Sequence, residues 1–291
     1  MYWSLGSLDN PALFVHDATA ITMNKAHEFN RQRWNEVTPV HVESEFYDVA
    51  GFIGGRDTLG PVERAALGDL SGKRVLHMQC HFGMDTLSMA RSGPAAVVGL
   101  DFSDVALAKA RDLAERTGLA DTVRFVEADV TRAGKVSGGA FDVIYTSFGT
   151  IVWLEDLQGW ADTIAANLAP GGFFYFLDSH PLSMVFDGDH VEPRVKYPYF
   201  HNTQADISPA GEIDYADAEY KVQNEGHEFS WPLQDIFGTF EKAGLRVHEV
   251  REYPFTAWRQ FPDMEEADDG YWYRKQGNAE LPLLLGFKAK W

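Results

Sequence analysis

The chain has 291 residues, 45% of them hydrophobic and 13% aromatic, which is enough to bury the core of one large or two ordinary domains. Its 43 acidic residues against 25 basic ones give a formal net charge of −18, which disfavours nucleic acid and anionic membranes as partners. The single cysteine, Cys80, excludes an intramolecular disulfide and a cysteine-rich metal site. The first residues lack a signal-peptide pattern, and no apolar run reaches membrane-spanning length, so we expect a cytoplasmic protein.

The middle of the chain alternates strand-like and helix-like segments, a pattern typical of a parallel sheet with crossover helices. Ser103 predicts the cap of a helix that ends before Gly118, and Asp156 begins a helix that Pro170 and two glycines stop. The predicted strands of this part cover residues 73–79, 95–101, 123–129, 141–147 and 173–179.

The flanking parts have different patterns. Residues 24–68 predict helices around the loop "TPVHVESEFYDVAGFIGG", and the segment after strand five predicts a lid or small antiparallel sheet with the strand-like pieces "VKYPYF" and "AEYKVQN". The α/β pattern then resumes with a helix over 232–244, a strand over 245–253 and its hairpin partner over 281–291. Residues 254–280, between the two strands, form a second irregular segment. We therefore expect four parts: an N-terminal helical lid (1–68), a cofactor-binding core (69–179), an inserted substrate lid (180–228) and the completion of the core sheet (229–291).

Polar residues follow the first three strands of the core. The turn after strand one, "VLHMQCHFG", resembles a nucleotide-binding loop, but Gln79 and His81 stand where glycine is usual. Asp101 ends strand two, where a carboxylate that binds ribose is expected, and Asp129 ends strand three beside Val130, where an acceptor for an adenine amino group is expected. The loop after strand one, Asp101 and Asp129 would each also fit an ordinary turn. Together, at the ends of three consecutive strands, they predict an adenosine site.

The quoted motifs "VLHMQCHFG", "VVGLDFS", "VEAD", "FDVIYTSFG" and "LAPGGFFYF" resemble those of class I S-adenosylmethionine-dependent methyltransferases over about residues 73–178. The first of these also resembles a variant form found in a bacterial subgroup of the family. The resemblance implies an α/β, doubly wound, Rossmann-like sheet of seven strands with an antiparallel last strand. It also implies S-adenosylmethionine as cofactor, and cofactor-binding residues at His77, Gln79, Cys80, His81, Gly83, Asp101, Phe102, Asp129, Val130, Ser147 and Trp34.

The first motif departs from the family at the residue that commonly holds the amino end of the cofactor. His77 replaces an acid, so Asp85 or an N-terminal residue is an alternative partner for that end. The amide of Gln79 has both donors and an acceptor and suits a zwitterionic amino acid. Trp34, His41 and Tyr47 are candidates to close over the methionine end.

The predicted reaction is in-line transfer of a methyl group to an oxygen or nitrogen atom of a small organic molecule. His180, directly after strand five, is the first candidate for a general base, and His201 and His227 in the insertion are the others. We expect no metal. The acceptor is predicted to be a small molecule, neither nucleic acid nor membrane, and a homodimer is left open.

Two alternatives stay open from the sequence. One is a nicotinamide-dependent oxidoreductase, although its usual glycine pattern is absent. The other is a regulator or partner subunit that binds the cofactor without transferring a methyl group.

Overall fold

A computed structural model describes residues 24–201, 203–278 and 280–291. Residues 1–23 of the expected N-terminal lid lie outside the described residues. The helices are α1 (Lys25–Glu43), α2 (Val49–Ile53), α3 (Pro61–Leu67), α4 (Met84–Ala90), α5 (Asp104–Arg116), α6 (Leu157–Asn167) and α7 (Leu233–Lys242). The strands are β1 (Arg74–Met78), β2 (Ala96–Asp101), β3 (Val123–Glu127), β4 (Phe141–Thr146), β5 (Leu168–Ser179), β6 (Asp206–Ser208), β7 (Gly226–Glu228), β8 (Arg246–Tyr253), β9 (Phe255–Thr256), β10 (Met264–Glu266), β11 (Trp272–Arg274) and β12 (Leu284–Lys290).

The central sheet has seven strands in the order β3-β2-β1-β4-β5-β12-β8. Strands β1 to β5 are parallel, and β12 runs antiparallel between β5 and β8. This confirms the predicted Rossmann-like sheet and the C-terminal hairpin. Because the order reverses between β1 and β4, their carboxyl ends open a crevice, which is where ligands bind in such sheets.

Each face of the sheet carries its own core, because successive residues of a strand point to opposite faces. On one face, Val75 of β1 belongs to a buried cluster with residues of α3, α4 and α5. On the other, Leu76 belongs to a cluster with residues of α6 and α7. The continuous apolar runs in these strands therefore reflect burial on both faces.

Several local predictions are confirmed. Ser103 caps α5 by accepting a hydrogen bond from the backbone N–H of Ala106, and Gly118 has the left-handed conformation that follows a helix end. Asp156 caps α6 through the N–H of Gly159.

Other local predictions are wrong. Helix α1 continues through Pro39 to Glu43, since Pro39 is exposed while Val37, Thr38 and His41 on the same stretch are buried and hold the helix against the protein. Helix α2 forms inside the predicted loop. Strand β5 begins at Leu168, before the Pro-Gly-Gly turn rather than after it.

The two strand-like pieces of the insertion make only isolated bridges, Phe186 with Val195 and Ile213 with Lys221. The insertion's two-stranded sheet lies elsewhere, in β6 and β7. In the second piece, the carboxylate of Glu36 in α1 accepts hydrogen bonds from the backbone N–H groups of residues 223 and 224 at 2.6 and 2.9 Å. These N–H groups therefore bind α1 and do not pair with another strand. Residues 254–280 include the three-stranded sheet β10-β11-β9. None of the helices in the described part is both long and apolar enough to span a membrane.

Candidate functional site

The loop between β1 and α4 has the backbone conformation that is usual for glycine, although two of the residues that adopt it carry side chains. Gln79 and His81 have φ angles of 55° and 52°, and Gly83 has 82°. The left-handed conformation costs a residue with a Cβ roughly 1–2 kcal/mol, so neighbouring contacts must hold the first two. Only glycine fits at position 83, because a Cβ there would lie 2.9 Å from the Phe125 ring.

Hydrogen bonds hold this loop on both sides. The Nε2 group of Gln79 donates to the carbonyl of Thr150 at 3.0 Å, and the N–H of His81 donates to Asp101 Oδ2 at 2.8 Å. The loop is thus tied to the segment after β4 on one side and to the end of β2 on the other.

Asp101 lies at the end of β2, as predicted. Its second oxygen accepts the N–H of Ser103 at 2.9 Å. Burial raises the pKa of Asp101 to about 6, although backbone N–H groups of Ser103, His81 and Phe102 act in the opposite direction. Asp101 therefore orders the loop and also places a carboxylate where a ribose is expected.

Asp129 is buried at the predicted place, but protein groups already occupy both of its oxygens. His27 Nδ1 lies 2.7 Å from Oδ2, and Oδ1 accepts the N–H and hydroxyl of Thr131 at 2.9 and 2.8 Å. Burial favours a higher pKa for Asp129, but the bonds from His27 and Thr131 outweigh it and hold the pKa below its usual range. The neighbouring Val130 is buried.

Four polar side chains meet behind the loop. His77 Nδ1 lies 2.8 Å from the Thr86 hydroxyl, and Ser147 Oγ lies 3.5 Å from His77 Nε2 and 3.3 Å from Asp85 Oδ2. Burial lowers the pKa of His77 to about 3, so this ring is neutral near pH 7 and brings no charge. Asp85 is therefore the carboxylate nearest to the position of the family's usual acid. Burial also raises the pKa of Cys80, which stays a thiol.

Asp178, at the end of β5, orders the segment after β4. Its carboxylate accepts the backbone N–H groups of Gly149, Thr150, Ile151 and Ser179 and the hydroxyl of Thr150, at 2.6 to 3.0 Å. This clamp fixes the carbonyl of Thr150 that receives Gln79. Sequence reasoning missed this role of Asp178.

Aromatic rings from α1 and its following loop cover the cofactor loop, as expected for Trp34, His41 and Tyr47. Their ring centroids lie 5.1, 5.2 and 5.8 Å from that of His81. Trp34 also packs edge-on against Trp153 at 5.4 Å. The rings thus join the loop after β1 to the segment after β4.

Two residues of the insertion complete this cover, and sequence reasoning missed both. Asp214 Oδ2 lies 3.0 Å from His41 Nε2, and the hydroxyl of Tyr215 lies 3.4 Å from His41 Nδ1 and contacts the hydroxyl of Tyr47. The sequence carries no local signal for these contacts, since Asp214 and His41 are 173 positions apart.

The three histidines predicted as bases do not come together. His180 accepts the N–H of Leu182 on Nδ1 at 3.0 Å and lies 2.9 Å from Glu252 Oε1 through Nε2, so it faces β8. His201 stacks on Trp231 at 3.9 Å, and His227 stacks on Phe29 at 4.5 Å with Glu225 2.9 Å from its Nε2.

The residues around the loop fit the S-adenosyl group in one further respect. Gln79 Oε1 is buried and has no hydrogen-bond partner within the described residues. A buried acceptor without a partner is costly, and the ammonium group of an amino acid would satisfy it.

Part of the chain is similar to known proteins. A family model described as a methyltransferase domain matches residues 75–172. A ubiquinone biosynthesis O-methyltransferase from Psychrobacter cryohalolentis is 32% identical over 161 residues, 53% of this chain and 62% of that protein. A sterol 24-C-methyltransferase from Aspergillus fumigatus is 31% identical over 128 residues, 44% of this chain and 33% of that protein. The chain thus spans less than two thirds of the length of either relative.

Among solved structures, an S-adenosylmethionine-dependent methyltransferase from Mesorhizobium loti aligns with a TM-score of 0.51 and 20% identity, over 79% of this chain and 95% of that one. At this identity the likeness establishes the fold. The chain therefore contains a methyltransferase domain, as predicted for the enzyme class, and its fold is that of solved S-adenosylmethionine-dependent methyltransferases.

Proposed function

We propose that this chain transfers a methyl group from S-adenosylmethionine to an oxygen or nitrogen atom of a small organic molecule. The observation that carries the proposal is the loop 79–83, which keeps the backbone conformation usual for glycine and leaves Gln79 Oε1 without a partner among the described residues. A loop that holds two side chains in strained conformations suits a binding site better than an ordinary turn.

Each predicted cofactor residue has a proposed role. Gln79 holds the amino-acid end, Asp101 accepts the ribose hydroxyls, and Asp129 with Val130 borders the adenine. The remaining lining residues are His77, Cys80, His81, Gly83, Phe102, Ser147 and Trp34. The cofactor supplies a methyl group on a positively charged sulfur, which aromatic rings such as Trp34 favour.

The acceptor belongs on the open side of the same loop. We place it under the cover formed by α1 and the insertion 180–228, because the side chains of Glu36 and Arg33 tie these two elements together. The acidic surface, with a net charge of −18, favours a small molecule over nucleic acid.

The test is isothermal titration calorimetry of the full chain with S-adenosylhomocysteine and, separately, with reduced nicotinamide cofactor. We expect saturable binding of the first only, with a melting temperature that rises with its concentration. Binding of the nicotinamide cofactor alone would overturn the proposal. Binding without incorporation of labelled methyl into any metabolite pool would instead support a regulator.

A further inference from the structure

The side chains of Asp214, His41, Tyr215 and Tyr47 form a continuous hydrogen-bonded chain over the cofactor loop. The geometry points to this chain as the proton acceptor of the reaction and to an uncharged aromatic compound with a ring hydroxyl as the methyl acceptor. The inference rests on the proposed methyl transfer.

The direction of the chain follows from its chemistry. Asp214 is a carboxylate, so His41 Nε2–H donates to it at 3.0 Å, and the lone pair of His41 Nδ1 then faces the Tyr215 hydroxyl at 3.4 Å. Tyr215 donates to His41, and Tyr47 donates to the oxygen of Tyr215. The oxygen of Tyr47 is left to accept a hydrogen bond from outside the chain.

Tyr47 contacts two rings of the cofactor loop. Its ring lies 4.9 Å from that of Phe82 and 5.8 Å from that of His81, both in the loop that we assign to the cofactor. Burial raises the pKa of Tyr47 well above its usual value, and Asp214 and Asp85 act in the same direction while Tyr215 opposes them. Tyr47 thus keeps its proton and passes one on rather than acting as a phenolate.

His41 has the environment of a general base. It is buried between α1 and the insertion, and the groups that face it are Asp214, Tyr215, Tyr47, His81 and Trp34. Asp214 is the one acid in this set. It contacts Nε2, the ring nitrogen that does not take up the proton, and it stabilises the imidazolium. His180 meets Glu252 instead, on the side of β8.

Exposed rings beside Tyr47 indicate the class of acceptor. Phe46 and Tyr215 are 52% and 57% exposed with ring centroids 5.5 Å apart, and the neighbouring Ile213 is 62% exposed. Contiguous exposed aromatic surface marks ligand sites, and aromatic faces pack well on a planar ring. A ring hydroxyl would then lie beside the oxygen of Tyr47.

The step balances in atoms and electrons. The acceptor oxygen forms a bond to the donated methyl carbon, the carbon–sulfur bond breaks, and its electron pair stays on sulfur. The acceptor proton passes to Tyr47, the Tyr47 proton to Tyr215, and the Tyr215 proton to His41 Nδ1, which later releases it to water. Tyr47 is the catalytic residue that touches the acceptor, and His41, Tyr215 and Asp214 act through it.

The test uses the full chain saturated with S-adenosylhomocysteine and titrated with para-nitrophenol at a pH below the pKa of the free phenol. We expect saturable binding with growth of the phenolate absorbance band, and loss of that growth in His41→Gln and Tyr47→Phe. His248→Gln is the matched control, since His248 also lies beside a carboxylate, Glu249 at 3.3 Å, but on the outer strand β8. A single-turnover assay of phenol methylation should slow by roughly 10²–10⁴-fold in His41→Gln. That variant should also lose the rise in rate with pH that an imidazole base produces.

Equal growth of the phenolate band in His41→Gln, or no binding of para-nitrophenol by the wild-type complex, would overturn the inference. Calorimetry with S-adenosylhomocysteine on every variant shows whether each is folded and competent. If the wild type itself does not bind S-adenosylhomocysteine, the proposed function fails, which is a different result.

Discussion

The imidazole of His27 and the carboxylate of Asp129 form a buried pair 2.7 Å apart that fastens α1 to the end of β3. The N–H of Glu155 donates to His27 Nε2 at 3.2 Å, so the ring proton is on Nδ1 and is donated to Asp129. One side chain thus joins the N-terminal helix, the end of a core strand and the segment after β4. It also takes up the carboxylate that the sequence suggested for adenine.

Replacing His27 by alanine leaves a buried carboxylate with one oxygen unpaired. We expect the free energy of unfolding to fall by about 1.5–3 kcal/mol, the range for a hydrogen bond to a charged group. Urea unfolding at pH 7 measures the loss, with His190→Ala as the control because His190 is exposed. An unchanged unfolding midpoint would show that the pair does not hold α1.

The pair of His27 and Asp129 also predicts that the stability of the protein depends on pH in the acid range. Since the pKa of Asp129 is held below its usual value, its contribution to stability is full above about pH 4 and is lost as the pH falls through the lowered value. The stability difference between wild type and His27→Ala should therefore shrink in acid. Urea titrations from pH 7 to pH 3 would reveal it, and a constant difference would contradict the assignment.

Two substitutions at Gln79 separate the effect of backbone strain from that of the side-chain amide. Gln79→Gly and Gln79→Ala both remove the amide that we assign to the cofactor, so each should weaken S-adenosylhomocysteine binding by about tenfold or more, the equivalent of one charged hydrogen bond. Only alanine keeps the left-handed strain at φ 55°, so the glycine variant should be the more stable by about 1 kcal/mol. Calorimetry and urea unfolding of both variants give the two quantities. Wild-type affinity in the glycine variant would leave Gln79 with a backbone role alone.

Asp101 predicts how cofactor binding depends on pH. The ribose hydroxyls are donors and need an ionised carboxylate, and the pKa of Asp101 is raised to about 6 by burial. Affinity for S-adenosylhomocysteine should therefore be full well above pH 6 and weaken as the pH falls through it. Asp101→Asn should bind at least about tenfold more weakly and lose this dependence. Calorimetry from pH 5 to pH 8 checks both points, and an unchanged profile in the asparagine variant would remove Asp101 from ribose binding.

His180 is the sequence-derived base that His41 replaces in our proposal. Because both of its nitrogens meet protein groups, Leu182 and Glu252, we expect His180→Ala to lower the free energy of unfolding by about 1–3 kcal/mol while leaving the single-turnover rate close to wild type. His41→Gln, in contrast, should slow the single-turnover rate. A rate defect in His180→Ala as large as that in His41→Gln would restore His180 as the base.

The sequence by itself determined the strands of the central sheet and their order along the chain, because the signals for them are local. The apolar runs of β1, β2 and β4 reflect burial on both faces, and Ser103 and Asp156 begin helices through hydrogen bonds three residues away. The same local logic placed Asp101 at the end of β2. It also singled out the aromatic residues of the cover, Trp34 and His41 in α1 and Tyr47 in the loop after it.

Only the tertiary structure decided which partners these residues meet, because such contacts join positions that are far apart in the chain. Asp129 meets His27 across 102 positions and His41 meets Asp214 across 173, and neither spacing leaves a pattern in the sequence. Strand formation in the insertion was likewise decided by Glu36, whose carboxylate takes backbone donors that a sheet would otherwise use. Hydrophobic periodicity records burial, whereas the partner of a buried polar group depends on how the elements pack.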